Sequence, residues 1–447
     1  MAGLTRGELA RKLVHVAMGG IAFAVRPLGP RLSVLAALFA ILFNALLLPR
    51  LGGRQLWRSH ESQRNFAWGI VLYPTTVLLL LVLFWSRQEI AAAVWGILAF
   101  GDGMAAIVGQ AVGGGNPLPW NPRKSWAGSL AYAVFGAAGA YALLQWTAPG
   151  RYAAGFALAA VAATALFAAL LESQPQGLDD NFGVPLVAAL LLACSIETQG
   201  HWAFVATPHF ARKAAIGLAT NVALALAAYA AKGVGRAGAV VGTLLGTTIW
   251  AFAGWRGFLA LFAFFVLGTA ATRMGYAAKA RAGIAQEKGG RRGPGNALSK
   301  TSVPALAAIF FATTDRPVLY ALALVSAFAT AASDTVSSEI GKAFGRRTFL
   351  ITTLRPVPRG TDGAVSLEGT LAGIAASLVL GALGAVTKLY PPIGIAWVAL
   401  AALVATTLES WIGATLEKRG LVDNEAVNFL NSLAGAGVAF ALGALPL

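Results

Sequence analysis

Two aspartates are the strongest candidates for chemistry in this sequence. Asp102 stands between Gly101 and Gly103 near the end of one hydrophobic run, and Asp334 follows Ser333 near the end of another. An acidic residue in a membrane helix is energetically costly, so it is a functional candidate by default. The two glycines would let a ligand approach the backbone beside Asp102. The alternative is that Asp102 caps a helix or pairs with a nearby arginine.

Further acids, amides and cations stand near these aspartates in the chain, and together they suit phosphoryl transfer. Carboxylates suit Mg²⁺, which takes one or two acidic ligands together with waters and substrate phosphates. Arginine and lysine suit phosphate oxygens, and phosphoryl transfer depends mainly on metal, positive charge and positioning. The expected metal ligands are Asp102, Glu172 and Asp180 in the first half and Asp334, Glu409 and Asp423 in the second. The expected partners of substrate and nucleotide are Arg11, His15, Arg54, Arg123, Lys124, Ser125, Asn181, Arg291, Arg292, Arg355, Arg359 and Asn424. Cytidylyl transfer would need the same groups.

Some of these residues also have purely structural explanations. Arg11 and Lys12 would anchor the start of a membrane helix without taking part in chemistry. His15 lies one turn deeper on the face of Arg11. For His15, contact with the substrate and a purely structural role are equally open.

The composition indicates a membrane protein and excludes several other classes. Of the 447 residues, 57% are hydrophobic and only 12% are charged, whereas about 25% charged residues is usual in soluble domains. The net charge of +16 comes from 34 basic and 18 acidic residues. Basic residues of membrane proteins collect in cytoplasmic loops, so we expect no nucleic-acid partner. A lone cysteine, Cys194, excludes an internal disulfide, and soluble nucleotide-binding motifs are absent.

The elements that must position these residues are membrane helices. Hydrophobic runs predict an all-α polytopic protein of about fifteen spans in the lipid bilayer. The predicted spans are 13–29, 32–49, 67–85, 89–108, 126–147, 152–171, 184–203, 212–231, 237–254, 256–273, 302–315, 317–337, 367–387, 391–408 and 427–446. A cytoplasmic N-terminus puts most basic loops on the cytoplasmic side. Arg212 and Lys213 are the exception.

An internal duplication relates the two aspartates. Gly109 follows Asp102 by seven residues, and Gly341 follows Asp334 by the same offset. Residues 124–131 match residues 365–372, and further blocks match in the same order. The sequence therefore predicts two parallel seven-helix repeats. Their bounds are 1–205 and 236–447, joined by a linker helix within 206–235.

Two known families share these motifs. Residues 11–15, 101–106, 109, 124–129 and 180–181 resemble the phytol kinase and dolichol kinase family, which is related to the CTP-dependent phosphatidate cytidylyltransferases. Residues 290–292, 333–341, 358–366, 409–410 and 423–428 resemble the phytyl-phosphate kinase group, which includes relatives of transmembrane protein 19. The two halves thus resemble enzymes that catalyse consecutive steps.

These resemblances imply a bifunctional isoprenoid kinase. An isoprenoid alcohol such as phytol or geranylgeraniol would become the monophosphate and then the diphosphate, with Mg²⁺ and with CTP or another nucleoside triphosphate. The catalytic residues implied are Asp102, Lys124, Asp180, Asp334, Glu339 and Asp423. Val365 stands opposite Lys124 in the second copy, so Arg355 and Arg359 are expected to replace that lysine.

Two other functions and several properties stay open. A lipid cytidylyltransferase and a lipid or isoprenoid transporter are the alternatives. The expected location is a bacterial plasma membrane, with the active sites on the cytoplasmic face. A homo-oligomer is an open alternative to a monomer.

Overall fold

The structure is a computed structural model, and it describes residues 6–48, 50–51, 68–112, 116–174, 181–231, 233–285, 293–361, 363–418 and 422–445. For residues 6–11 and 68–69 the backbone alone is described. This part of the chain is almost entirely helical, with two short antiparallel hairpins. The chain divides into two compact units, Met1–Gln199 and Gly200–Leu447.

The first unit is a helical bundle with one hairpin in its described part. Its helices are Arg6–Ile21 (α1), Val25–Leu42 (α2), Trp68–Leu83 (α3), Gln88–Gly96 (α4), Gly103–Ala111 (α5), Trp126–Thr147 (α6), Ala154–Glu172 (α7) and Gly183–Ile196 (α8). A 3-10 turn at Ala22–Ala24 joins α1 to α2, and π-helical turns at Phe43–Leu47 and Ile97–Asp102 follow α2 and α4. The hairpin strands, Pro117–Leu118 (β1) and Asn121–Ser125 (β2), connect α5 to α6.

The second unit is also a helical bundle with one hairpin in its described part. Its helices are Pro208–Ala230 (α9), Arg236–Arg273 (α10), Tyr276–Arg281 (α11), Pro294–Thr313 (α12), Pro317–Phe344 (α13), Leu367–Val386 (α14), Gly394–Ile412 (α15) and Asn424–Gly443 (α16). A 3-10 turn at Ala203–Ala206 precedes α9, and a π-helical turn at Gly413–Glu417 continues α15. Strands Thr348–Leu350 (β3) and Ala364–Ser366 (β4) form a hairpin between α13 and α14.

The prediction of an all-α polytopic membrane protein is confirmed. Ten helical runs in the described residues are long and apolar enough to cross a membrane. The run Arg236–Arg273 has 38 residues, and at about 1.5 Å per residue it would be about 57 Å long, about twice the thickness of a bilayer core. Gly254, with φ of 70°, breaks this run into the two predicted spans, and Gly29, with φ of 67°, breaks Lys12–Leu47 in the same way. The helices Ile70–Leu83 and Gly183–Ile196 are shorter but apolar, and α12 coincides with another predicted span.

Each unit has an alanine-rich helix at its centre. In the first unit, α4 is almost completely buried and packs against α6. In the second unit, α13 is the most buried membrane span and contacts α10, α12, α14, α15 and α16. Small side chains let membrane helices approach closely, and a Cβ on Gly373 of α14 would lie only 2.7 Å from the Ser333 hydroxyl of α13. The central helices are also the ones that lead to the two aspartates.

The helix predicted as a linker belongs to the second unit. Helix α9 packs against α10, where a Cβ on Gly217 would lie 2.8 Å from Trp250. Such a close approach between two helices is typical of an interface with glycine at the contact.

Candidate active site

Asp102 is the centre of a polar cluster in the first unit. It lies at the end of the π-helical turn that follows α4 and directly precedes α5; π-helical turns of this kind are frequent at functional sites. Lys12 Nζ donates to Asp102 Oδ2 at 2.8 Å, and His15 Nε2 lies 3.4 Å from the same oxygen. Lys12 and His15 are three residues apart on α1, so they share the face that meets the aspartate.

A second layer of residues orients His15. Its Nε2 lies 3.1 Å from the Leu98 carbonyl oxygen as well as near the Asp102 carboxylate. Because both neighbours are acceptors, this nitrogen carries a proton. The His15 ring also meets the edge of Tyr73, with 4.6 Å between ring centroids, and the Tyr73 hydroxyl accepts from Trp95 Nε1 at 2.8 Å. Polar contact with Asp102 and aromatic packing therefore both hold this histidine.

Lys124 brings a second positive charge and a second acid to this cluster. It forms an ion pair with Glu172, which is buried at the end of α7. Lys124 also lies close enough to Asp102 for their charges to interact. Asn121 Nδ2 donates to the Ser173 carbonyl oxygen at 3.0 Å and so fastens the hairpin to the end of α7. The first unit thus collects two carboxylates, two lysines and a histidine.

In the second unit, Asp334 lines a cavity of about 290 Å³. Residues from α12, α13, α14, α15 and α16 form its walls, together with the β3–β4 hairpin and its loop. Lys300 of α12 is only 7% exposed and reaches into the cavity wall. Its Nζ donates to Asp334 Oδ2 at 2.8 Å and to Thr335 Oγ1 at 2.9 Å. A buried lysine therefore neutralises the aspartate, as Lys12 does in the first unit.

Glu409 adds a second carboxylate to the cavity. It lies within interaction distance of Asp334 and Lys300, and it accepts a hydrogen bond from Asn431 Nδ2. Asn424 and Asn428 also line the cavity, and Asn428 donates to the Asn424 side-chain oxygen at 3.0 Å. These carboxylate and amide oxygens are of the kind that Mg²⁺ prefers.

The donor set suits a metal that also takes ligands from substrate. The described residues contain no group of three or more His, Cys, Asp and Glu that could hold a metal ion without other ligands. Mg²⁺ is usually bound through one or two carboxylates plus phosphate oxygens. The pair Asp334 and Glu409 fits this arrangement. In the first unit, Asp102 and Glu172 are linked through Lys124, which interacts with both.

Glu339 lines the cavity but is already paired. It accepts from Lys279 of α11, whose side chain is 0% exposed, and that lysine also donates to the Thr272 carbonyl oxygen at 3.0 Å. An ion pair this deeply buried is costly to break. Its geometry therefore fixes α11 and the cavity wall of α13 together.

The structure places the other predicted residues less centrally. Asp423 caps α16 by accepting from the Ala426 N–H at 2.8 Å, and it does not line the cavity. Arg355 and Arg359 are exposed on the loop between β3 and β4 and also do not line it. The Arg123 backbone N–H donates to Asn121 Oδ1 at 3.2 Å, whereas its side chain is exposed. Ser125 caps α6, and Asn181 is half-buried just before α8.

Five predicted site residues lie outside this description. Arg54, Asp180, Arg291 and Arg292 are outside the described residues, and for Arg11 only the backbone is described.

The same close packing surrounds both aspartates. Ser125 and Ser366 each cap the following helix by accepting from Gly128 and Gly369 N–H, both at 3.1 Å. A Cβ on Gly109 or on Gly341 would lie 3.1 Å from the hydroxyl of that capping serine. Ser125 and Ser366 occupy matching positions in the aligned sequence blocks, and Gly109 and Gly341 do so as well. A methyl group at either glycine would therefore be in tight contact with the serine hydroxyl.

Sequence reasoning did not predict that two lysines contact the aspartates. It assigned Lys12 to helix anchoring, and it counted Lys300 among several cations near Asp334 without predicting a contact between the two. For Lys300 a signal was available, because it directly precedes the apolar part of α12 and a buried ionisable residue in a membrane helix is a functional candidate. For Lys12 the spacing of three residues to His15 was the available signal.

Comparisons with known proteins agree with the predicted resemblances. The profile of a family described as "Integral membrane protein DUF92" matches residues 219–436. An uncharacterized membrane protein of Synechocystis sp. is 49% identical over 204 residues, 45% of this chain and 79% of that protein. Protein VTE6, chloroplastic, of Arabidopsis thaliana is 41% identical over 214 residues, 46% of this chain and 64% of that protein.

A fourth match concerns a named kinase. Probable phytol kinase 2, chloroplastic, of Oryza sativa subsp. japonica is 36% identical over 145 residues, 30% of this chain and 47% of that protein. The chain therefore spans about half the length of this relative. No solved structure matches the chain.

Proposed function

We propose that this chain, which belongs to the family of integral membrane proteins described as DUF92, phosphorylates an isoprenoid in two successive steps. The first unit would convert an isoprenoid alcohol to the monophosphate, and the second would convert that monophosphate to the diphosphate. The similarity to a protein named phytol kinase supports an isoprenoid alcohol as the first substrate. Because the apolar tail can stay in the bilayer, the monophosphate could pass from one site to the other without entering water.

The observation that carries this proposal is the lysine–aspartate pair in each unit. Lys12 contacts Asp102 and Lys300 contacts Asp334, both at 2.8 Å. Glu409 lies beside the second pair, and Lys124, which is paired with Glu172, interacts with the Asp102 of the first. Positive groups that clamp phosphate oxygens and carboxylates that bind a metal are the main components of a phosphoryl-transfer site.

The two sites differ in a way that fits the two acceptors. An alcohol must lose its proton as its oxygen bonds to the terminal phosphorus of the nucleotide and the bond to the leaving diphosphate breaks. In the first unit the Asp102 carboxylate is the group that could accept that proton, and the protonated His15 Nε2, 3.4 Å away, would help to hold this carboxylate in place. A monophosphate has a second pKa near about 6 and is already an anion at neutral pH. In the second unit, Lys300 and the hydroxyls of Ser337 and Thr370 line the cavity and could donate hydrogen bonds to such a phosphate.

Mg²⁺ and CTP complete the proposal. In each unit the two carboxylates would hold Mg²⁺ together with the nucleotide phosphates, and the metal would neutralise charge that develops on those phosphates. The basic loops favour a cytoplasmic position of both sites. We also infer that the two units arose by duplication, which the shared serine caps and glycine contacts support.

Product analysis of the full-length protein in nanodiscs tests the proposal. With geranylgeraniol or phytol, Mg²⁺ and CTP, we expect monophosphate first and diphosphate later. Asp102→Asn should abolish monophosphate formation but still convert supplied monophosphate, and Asp334→Asn should make monophosphate accumulate. The matched control is Asp315→Asn, because Asp315 is 89% exposed and contacts only His201 among the described ion pairs.

Three results would contradict the proposal. No phosphorylated product with any nucleoside triphosphate would exclude kinase activity. Release of pyrophosphate with formation of a CDP-lipid would identify a cytidylyltransferase. Equal loss of both steps in Asp102→Asn and in Asp334→Asn would mean a single shared site.

A further inference from the structure

The cavity of the second unit has both charged and apolar walls. Asp334, Lys300 and Glu409 make part of its wall charged. Ile374 of α14 and Leu403 of α15 add apolar side chains to the lining, and Leu403 precedes Glu409 by six residues on α15. One continuous space therefore offers charged and apolar walls, which suits a ligand with a charged head and a hydrocarbon tail.

Leu403 lies deeper along its membrane span than Glu409. It precedes Glu409 by six residues on α15, which corresponds to about 9 Å at about 1.5 Å per residue. Ile374 of α14 lies at the level of Asp334, because a Cβ on the preceding Gly373 would lie 2.7 Å from the Ser333 hydroxyl. Both helices are candidate membrane spans. A tail that follows this wall would therefore run into the hydrocarbon layer.

Several residues of α14 and α15 that line the cavity also reach the outer surface of the unit. Leu403 of α15 lines the cavity and is 38% exposed. Thr370 of α14 and Thr407 of α15 line it too, and both are exposed. Lys300, in contrast, is only 7% exposed. The exposed lining residues therefore point to an opening of the cavity between α14 and α15.

The volume of the cavity supports an occupant that extends outside it. At about 290 Å³, it is at the lower limit of the roughly 300–1,000 Å³ of pockets that enclose drug-sized ligands. It can hold a phosphate head and the first part of a chain. The rest of a long chain would have to leave through the opening.

We propose that the opening between α14 and α15 binds the tail of the isoprenyl phosphate and that Leu403 and Ile374 determine the chain length that the second unit accepts. This inference rests on the proposed function for the identity of the head group. The tail passes between Thr370 and Thr407 into the bilayer, while the phosphate stays at Lys300 and Asp334. The preference of the second unit for a chain length thus depends on how freely the tail passes from the cavity through this opening into the bilayer.

Photocrosslinking tests this site without any need for turnover. The probe is geranylgeranyl phosphate with a diazirine at the end of the tail, bound to the full-length protein in nanodiscs. We expect labelling in Leu367–Val386 and Gly394–Ile412, and less in Pro208–Ala230, which also exposes apolar side chains. Unlabelled geranylgeranyl phosphate should remove the signal. Equal labelling of all three helices would overturn the proposal.

A pair of matched variants tests Leu403 itself. Leu403→Trp should narrow the opening and lower labelling of α14 and α15 at least fivefold. Leu400→Trp is the control, because Leu400 lies one turn away on α15, is 47% exposed and does not line the cavity. It should stay within twofold of the wild type. Equal effects of the two variants would refute a specific role for Leu403.

Chain-length kinetics separate this inference from the proposed function. Leu403→Trp should raise the KM for geranylgeranyl phosphate about tenfold and leave the KM for isopentenyl phosphate unchanged, and Leu403→Ala should lower or preserve both. Localised labelling in a protein without kinase activity would support the tail site and contradict the kinase. Normal activity with an equal effect of Leu403→Trp on both chain lengths would contradict the tail site alone.

Discussion

Replacing Lys300 by methionine removes the positive charge beside Asp334 and keeps an unbranched side chain of similar length. The ammonium group donates to Asp334 Oδ2 at 2.8 Å and to Thr335 Oγ1 at 2.9 Å, and the residue is 7% exposed. A hydrogen bond to a charged group contributes about 1.5–3 kcal/mol. Since about 1.4 kcal/mol corresponds to a factor of ten in rate, kcat/KM for the isoprenyl phosphate should fall about 10- to 150-fold.

The first step of the same protein provides the internal control. Phosphorylation of the alcohol depends on Lys12 and Asp102 in the proposed scheme, so Lys300→Met should leave that step within twofold. Lys12→Met should have the reciprocal effect. Lys388→Met is a neutral control, because Lys388 is an exposed residue between α14 and α15. Separate assays with alcohol and with monophosphate, followed by chromatography of the products, measure each step.

A loss of folding would be visible as a loss of both steps. Removing one partner of a buried ion pair can cost about 3–5 kcal/mol of stability, so the Tm of each variant in nanodiscs should be measured as well. The reasoning would be refuted if Lys300→Met kept diphosphate formation within twofold of the wild type. It would also be refuted if a folded Lys300→Met protein lost both steps equally.

Two further predictions concern stability, and the Tm in nanodiscs checks both. Lys279→Met should destabilise the protein by about 3–5 kcal/mol, because it leaves the buried Glu339 without its partner. The double variant Lys279→Met/Glu339→Gln should recover part of the lost stability. If the stability losses of the two single changes simply add in the double variant, the argument is contradicted. Gly369→Ala should cost about 1–3 kcal/mol, because a methyl group there would lie 2.6 Å from the Ser337 carbonyl oxygen. Gly437→Ala, which meets nothing within 4 Å, should be neutral or slightly stabilising, and an equal Tm for the two glycine variants would contradict the packing argument.

The sequence was sufficient to predict the class of fold and the position of its helices. A hydrophobic run is a local property of the chain, so each predicted span overlaps a helix. Ten helical runs of the described residues are long and apolar enough to cross a membrane, fewer than the fifteen spans predicted. The breaks at Gly29 and Gly254 were also placed correctly, since each lies where two runs meet. Matching motifs drew attention to Asp102 and Asp334, because both the spacing and the residue types are visible in the chain itself, and the structure gives each aspartate a lysine partner.

Only the tertiary structure decided which charged residues meet. Lys12 is 90 residues away from Asp102 in the sequence, and Lys300 is 34 away from Asp334. The first lysine comes from α1, at the start of its unit, and the second from α12, directly before the central helix. No pattern along one helix can reveal such pairs, because they depend on how different helices pack.

The same reason explains why Arg355, Arg359 and Asp423 were given too central a place beside the cavity. They stand next to matching motifs in the chain, yet the two arginines are exposed on a loop and the aspartate caps a helix. We expected these residues at the cavity because they are close to the motifs in the chain. The path of the loop and of the helix end decides instead which side chains line it. The sequence by itself thus determined the helices, the two aspartates and the chemical class of the groups around them. Packing decided that Lys12 and Lys300 neutralise those aspartates, because the cost of a charge removed from water is offset only by a partner that folding brings close.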